Sequence, residues 1–402
     1  MMTIDNVIVN SSTEWAPLKE VIVARLPDDA CFPPEGPDFR GECNNEYIAS
    51  TLRWPIGPKH PNEIQKANAQ YDAYAEMLEG EGVVVKRPTP IPQNKPIVTP
   101  FWSIPTMYNC CPRDKLLVVG REILEATMSL RSRLFEEYCY RDIILDYYKR
   151  DKGMIWTVAP KPMMRDSLYT HSVDVANGVK VPFWDRQNER YKNYSGYISA
   201  EDVKSKKHKF EFTTTEDEPI WDAADVARFG KDLYIIRSNT TNRSGFEWLQ
   251  RHFAPLGVDC HLMHFPDDLN PQHIDGNFVP LRPGLVLCNR ERPPLESEVT
   301  KFRDGNWKFV KSAAPNAINY PMPDFCDCSA NGMSVNVFSI NEEKVVVEEN
   351  EKELISQLED LGFDVIPQGF REVYQFGGGL QCATNDIRRD DELKDFFATD
   401  YN

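Results

Sequence analysis

The chain has 402 residues, of which 41% are hydrophobic and 11% aromatic, enough apolar mass for two ordinary domains or one large closed architecture. Its formal net charge is −16, which excludes a nucleic-acid partner, whose phosphates need a basic surface, and an anionic membrane surface. The same acidity suits a small cationic substrate, and it equally suits a plain solvated surface.

One supersecondary pattern repeats along the chain. The first copy runs from the strand Leu18–Val23, through a helix marked by Ile64, Ala67, Tyr71, Tyr74 and Leu78, to the strand Val83–Val85. The second starts near Tyr108, takes Lys115–Val119 as a strand and Leu124–Lys149 as a long helical stretch, and ends in Ile155–Val158. The segment Asp166–Glu218 fits no copy. It is charged, with a basic run at Lys204–Lys209, and reads as a surface insertion. The third copy has strands Asp225–Phe229 and Leu233–Ile236 about a Gly230-Lys231-Asp232 turn, then a helix over Ser244–Ala254 and a strand over Val258–Phe265. The fourth has Phe278–Leu281, a Pro283-Gly284 turn, Leu285–Leu287, a short helix over Leu295–Phe302 and Trp307–Val310. The fifth is the clearest: Ser334–Ile340 alternates, Asn341–Glu343 turns, Lys344–Val347 returns, Glu351–Leu361 is helical, Gly362 stops it, and Phe363–Ile366 closes.

Five strand–strand–helix–strand units suggest a closed ring of modules in one domain spanning residues 1–402, since repeats bury their faces against neighbours and a ring leaves no bare sheet edge. An ordinary α/β sandwich of five such units is the alternative. No run of about 18 apolar residues is present, so no transmembrane helix is expected. Met1–Asn10 lacks a basic start and an apolar core, so no signal peptide is expected there. Ten cysteines without a secretory leader imply reduced thiols in the cytosol. Neither Cys110-Cys111 nor Cys326 with Cys328 is followed by a second pair at zinc spacing, so no metal site is expected.

Polar residues gather at the entry to each module's first strand. The second module carries Pro112-Arg113-Asp114, the third Trp221-Asp222-Ala223-Ala224-Asp225, the fourth Gln272-His273-Ile274-Asp275 and the fifth Ser329–Ser334. Near the C-terminus, Gly377-Gly378-Gly379-Leu380-Gln381-Cys382 puts a cysteine after a loop whose glycines allow close backbone approach. Taken singly, each has an ordinary reading: a core cysteine, a hydrogen-bonded core histidine, a helix-capping or turn aspartate, a surface ion pair at Arg292. About one axis they make a chemistry. A thiol needs a cationic neighbour to ionise, a histidine moves a proton to a leaving amine, and a carboxylate orients that histidine. Further carboxylates match the donor fork of a guanidinium. His273 and Asp275 lie two apart, so an extended segment would turn both to one side.

At these residues the chain resembles the family of arginine:glycine and inosamine-phosphate amidinotransferases. The matching stretches include Glu14-Trp15, Leu18–Val23, Pro112-Arg113-Asp114, Arg131–Glu136, Ala159–Pro162, Asp222–Asp225, Gly245–Trp248, His273-Ile274-Asp275, Gly377–Cys382 and Asp386–Arg389, in order over nearly the whole chain. The resemblance implies a five-bladed α/β-propeller of ββαβ modules with a central site. It implies Cys382 as nucleophile, His273 as acid/base and Asp225 as its carboxylate partner. It also implies that Asp114 and Asp275 bind the donor guanidinium, and that Arg292, Ser329 and Tyr108 lie at the donor's amino-acid end. The implied reaction is ping-pong: Cys382 takes the amidino group from L-arginine, ornithine leaves, and a primary amine accepts. No cofactor is implied, and a homodimer is left open.

Departures from the pattern bear on the acceptor. Gln272 stands where the glycine-specific enzymes have methionine, although Asn270 matches them, and Ala330 stands where a second serine is usual. Ala24 replaces a glycine, and Asp390-Asp391 replaces Arg-Gly. Glycine is the default acceptor; lysine, an amino-cyclitol or a secondary-metabolite precursor are alternatives. A guanidine hydrolase and a non-catalytic binding propeller are the competing functions.

Overall fold

A computed structural model describes residues 7–32, 57–109, 111–169, 212–268, 271–316, 333–374 and 376–398. Five three-stranded sheets form five blades, and each has the same internal order. In the third blade, Val226–Phe229 pairs antiparallel with Asp232–Ile236. The helix Arg243–Phe253 then crosses over, and Asp259–Met263 pairs parallel with the middle strand. Here the hairpin turns at Gly230, whose φ is +70° and whose position admits no side chain: a Cβ would lie 2.1 Å from the Lys394 carbonyl oxygen. The first and middle strands are buried along their whole length, whereas the outer Asp259–Met263 is only partly buried. Short apolar runs such as Leu-Tyr-Ile-Ile therefore mark the interior of a blade rather than a half-solvated sheet.

The fourth blade (Phe278–Arg282, Leu285–Cys288, Lys308–Lys311) and the fifth (Phe338–Ser339, Lys344–Glu348, Asp364–Gln368) follow the same plan. Of the expected strand Ser334–Ile340 only Phe338–Ser339 is strand, after a 3-10 turn over Met333–Val335, and two larger changes occur in the second and first blades. In the second blade, Leu124–Lys149 is not one helix. Glu122–Glu125 is the middle strand, paired with Leu116–Val119 and Ile155–Val158; two 3-10 turns follow, and the helix is only Arg141–Arg150. Burial overrides propensity here, because Glu125 is fully buried and receives Trp156 Nε1 at 2.7 Å and the Arg141 guanidinium at 3.2 Å. In the first blade, the first strand comes from the far end of the chain. Thr384–Arg389 pairs antiparallel with Leu18–Val23, which pairs parallel with Val84–Lys86. Cys382 thus comes just before the strand that closes the ring.

The apolar cores lie between blades and run all the way round. Ile22 and Ile387 pack with Leu116, Val118 and Ile144 of the second blade. Leu117 and Leu124 pack with Val226, Leu233 and Leu249 of the third, and Phe229 and Tyr234 with Phe278 and Phe302 of the fourth. Val279 and Leu287 meet Val345 and Leu354 of the fifth; Phe338 and Val346 return to Val21, Val23 and Tyr71 of the first. This is a five-bladed α/β-propeller. The segment before the first strand threads across it, bridging Ser11 to Gly120, Thr13 to Phe229 and Asn10 to Arg388. Asp391, one of the departures noted above, fixes that segment by accepting from Ser12 N and Thr13 Oγ1, both at 2.9 Å. Glu14 then enters a buried ionic cluster with Arg113, Arg228, Asp386 and Arg389.

The insertion is pinched where it leaves the fold, by a bridge from Tyr169 to Thr214. Lys204–Lys209, Asn270, Cys110, Cys326 and Cys328 lie outside the described residues. Among the described residues, no helix is long and apolar enough to cross a membrane.

Candidate active site

Each blade's first strand is entered through a tight turn. Asp114 lies in the turn Pro112–Lys115 before Leu116, Asp225 ends the turn Ala223–Asp225 before Val226, and Asp275 is in the turn Ile274–Gly276 before Phe278. Cys382 comes just before Thr384. Because the blades are arranged in a ring, these entries meet. Asp275 is in a 3-10 turn and not on an extended segment, but the ring still brings it to the cysteine.

The Cys382 thiol is 4% exposed. Its Sγ lies 3.1 Å from Asp275 Oδ2 and 3.3 Å from Asn336 Nδ2. A hydrogen bond with the Cys111 thiol favours the thiolate, but burial and the charges of Asp275 and Asp114 outweigh it and raise the thiol above its ordinary range. Burial likewise raises the Asp275 carboxyl.

His273 has φ +58° and ψ 129°, outside the regions that ordinary residues favour. Asp225 holds it there: its Oδ1 accepts the His273 backbone N–H at 3.0 Å. The other oxygen of Asp225 is held by the hydroxyls of Ser238, Thr240 and Thr241. Burial pushes Asp225 up to about 6. The imidazole itself meets Asp222, with Nε2 at 3.3 Å from Oδ2, and faces Asp114 Oδ1 from Nδ1 at 3.7 Å. Asp222 is braced by Ser129, whose N–H and Oγ donate to Oδ1 at 3.0 and 3.1 Å. So the ring partner is Asp222, whereas Asp225 supports the backbone and adds to the field. Burial disfavours the imidazolium, but Asp114, Asp222 and Asp225 together raise it well above the usual histidine range.

Asp114 receives Arg133 Nη1 on Oδ2 at 2.6 Å. Its Oδ1 is buried and has no hydrogen-bond donor among the described residues. Arg133 is shared with Glu136, whose carboxyl burial pushes up to about 7, and it stacks 5.7 Å over the Tyr108 ring. Buried carboxylates with an open acceptor suit a planar cation with several N–H groups.

The remaining expected residues are less central. The Tyr108 hydroxyl donates to the Phe376 carbonyl, which ties it to the cysteine loop. Arg292 faces Asp268, at 3.6 Å, and Gln272 is half-buried beside His273. Ser329 and Ala330 lie outside the described residues. Two neighbours of Cys382 are not legible in the sequence: Asn336, which the alternating pattern puts in a strand, and Cys111. No cluster of three or more His, Cys, Asp or Glu side chains suited to a metal occurs among the described residues.

The glycine loop is tight for a visible reason. A Cβ on Gly379 would lie 2.5 Å from Asn336 Oδ1, and one on Gly378 would lie 2.6 Å from Cys111 Sγ. Gly379→Ala should therefore displace Asn336 and the cysteine loop. We expect activity to fall about tenfold or more from a misplacement of this kind, with the melting temperature changing little. Turnover assays beside thermal melts check this, and equal loss of fold and activity would make the loop purely architectural.

The turns that enter the blades of this five-bladed propeller thus bring a thiol, an imidazole and several carboxylates into one buried cluster. No protein-family model matches the chain. It is 36% identical over 396 residues to the mitochondrial glycine amidinotransferase of Danio rerio, covering 97% of this chain and 85% of that protein. It is 35% identical over 393 residues to the L-arginine:L-lysine amidinotransferase of Pseudomonas savastanoi pv. phaseolicola, covering 96% of each. Among solved structures, SxtG, an amidinotransferase of saxitoxin biosynthesis from Microseira wollei, matches with TM-score 0.78 and 31% identity over 96% of this chain and 99% of that one. The inosamine-phosphate amidinotransferase of Streptomyces griseus matches with TM-score 0.75 and 28% identity, over 97% and 99%. The chain belongs to the amidinotransferase family, and it is a transferase.

Proposed function

We propose that the enzyme takes the amidino group of L-arginine onto Cys382 and passes it to a small primary amine, with glycine as the default acceptor. The observation that carries this reading is the Cys382 thiol set against Asp275, with the imidazolium of His273 and the open oxygen of Asp114 beside it. A guanidinium bound to Asp114 and Asp275 neutralises the charges that hold the thiol protonated, so as the donor binds the thiol gives up its proton to solvent and the thiolate forms, with His273 still an imidazolium. Cys382 then attacks the guanidinium carbon. His273 gives its proton to the departing nitrogen, and ornithine leaves as the C–N bond breaks and the C–S bond remains. The neutral imidazole next takes a proton from the acceptor amine, which attacks the same carbon and expels the Cys382 thiolate. Arg292 is assigned to the donor's amino-acid end, together with Ser329 and Tyr108.

Lysine is the runner-up acceptor, because the relative named for lysine is almost as similar as the one named for glycine. Gln272 and Ala330 are the positions proposed to decide between them. The enzyme acts as a single catalytic domain over 1–402, in the cytoplasm and as a homodimer. The deciding experiment supplies arginine with glycine, lysine, β-alanine, ornithine or an amino-cyclitol and reads products by mass spectrometry. Guanidinoacetate with ornithine supports glycine. A different amidinated amine reassigns the acceptor, and citrulline as main product replaces the reading with a hydrolase.

A further inference from the structure

Asn336 occupies the fifth blade's version of a place that carries chemistry in the other four. It follows the turn Met333–Val335 and precedes the first strand Phe338–Ser339. Asp114, Asp225, Asp275 and Cys382 hold the corresponding entries. Asn336 is 2% exposed, and its amide can face only one way. Oδ1 accepts the backbone N–H of Gln381 at 2.8 Å and that of Cys382 at 3.3 Å. Two N–H donors demand the oxygen on that side. The NH2 group must then point at the nucleophile, and Nδ2 lies 3.3 Å from Cys382 Sγ. Gly379 makes room for this amide.

We infer that Asn336 is a catalytic residue: its side-chain N–H donates to the Cys382 sulfur and holds the thiolate. A donor favours the charged form of its acceptor. It is needed here because Asp275 and Asp114 oppose that charge. Resting on the amidinotransferase reading, the same donor serves twice. It steadies the thiolate that attacks the guanidinium carbon, and later the thiolate that leaves when the acceptor amine displaces it. The loop contacts through Oδ1 keep donor and sulfur in register while the cysteine changes from thiol to amidino adduct.

Two variants separate the sulfur contact from the loop contacts. Asn336→Asp keeps an acceptor for Gln381 N and Cys382 N and loses the donor; Asn336→Ala loses both without adding charge. Alkylation of Cys382 by iodoacetamide, followed across pH by peptide mass mapping, reads the thiolate without any need for arginine. A hydrogen bond to a charged group corresponds to about tenfold or more. We expect both variants to alkylate at least about tenfold more slowly at neutral pH, with the titration moved to higher pH. The kcat should fall by a similar factor while the KM for arginine stays within about twofold. An unchanged alkylation profile in either folded variant overturns the inference. If Asn336→Ala does not fold, Asn336→Asp decides, and unfolding of both makes the residue architectural and overturns it too. Normal alkylation effects in a protein that transfers nothing from arginine would instead count against the proposed function alone.

Discussion

Cys382→Ala abolishes amidino transfer and leaves the propeller standing. Without the sulfur there is no covalent carrier for the amidino group, and the remaining carboxylates only bind the donor. Loss of a nucleophile of this kind costs roughly 10⁴–10⁶-fold. Its removal takes one sulfur atom from the edge of the core between the fifth and first blades, so circular dichroism and the melting temperature should stay near those of the parent. A variant that retains more than about one per cent of the rate would move the nucleophile elsewhere. The Cys111 thiol, hydrogen-bonded to Cys382, would then be the first residue to test.

The second large effect is on stability. Arg228 is buried at the centre of the ionic cluster. Its Nη2 lies 2.9 Å from Glu14 Oε2 and 2.7 Å from Asp386 Oδ2, and its Nη1 donates to Ser11 Oγ at 2.7 Å. This one side chain joins the threading segment, the third blade and the closing strand. Arg228→Met leaves two buried carboxylates short of a partner, and should destabilise the fold by about 3–5 kcal/mol. Against the burial that opposes their ionisation, the arginines hold Glu14 and Asp386 below the usual carboxylate range. Depressed carboxylates contribute stability above their unfolded values and lose it as pH falls through their folded values. The gap between parent and variant should therefore be widest near neutral pH and close under acid. Urea unfolding at several pH values measures it. A difference below about 1 kcal/mol at pH 7 would show that Arg113 and Arg389 compensate.

Much of this molecule was legible in its residues, for physical reasons. Buried apolar runs ended by Gly230 or Pro283-Gly284 mark hairpins, and the amphipathic stretch ended by Gly362 marks a crossover helix. Repetition of that unit pointed to a ring. The first blade could not be read as a unit because its first strand, Thr384–Arg389, is almost the whole chain away from its partner Leu18–Val23. Glu122–Glu125 was hidden by acidic residues that only a buried partner set makes tolerable in a strand. At the site, residue types gave the chemistry but not the contacts. Asp222 and Asp225 share one turn, and nothing local tells which reaches the imidazole and which the backbone. Asn336 was missed because an asparagine near a strand is unremarkable alone; comparing the entries of all five blades would have singled it out.

The central claim is that Cys382 carries the amidino group between donor and acceptor. Intact-protein mass spectrometry after mixing with arginine alone, with no acceptor, tests it most directly. We expect one equivalent of ornithine and a mass gain of a single amidino group, mapped to Cys382 and removed when a competent amine is added. Continuous release of citrulline with no acceptor present, or an unmodified Cys382 in an enzyme that still makes an amidinated amine, would contradict it.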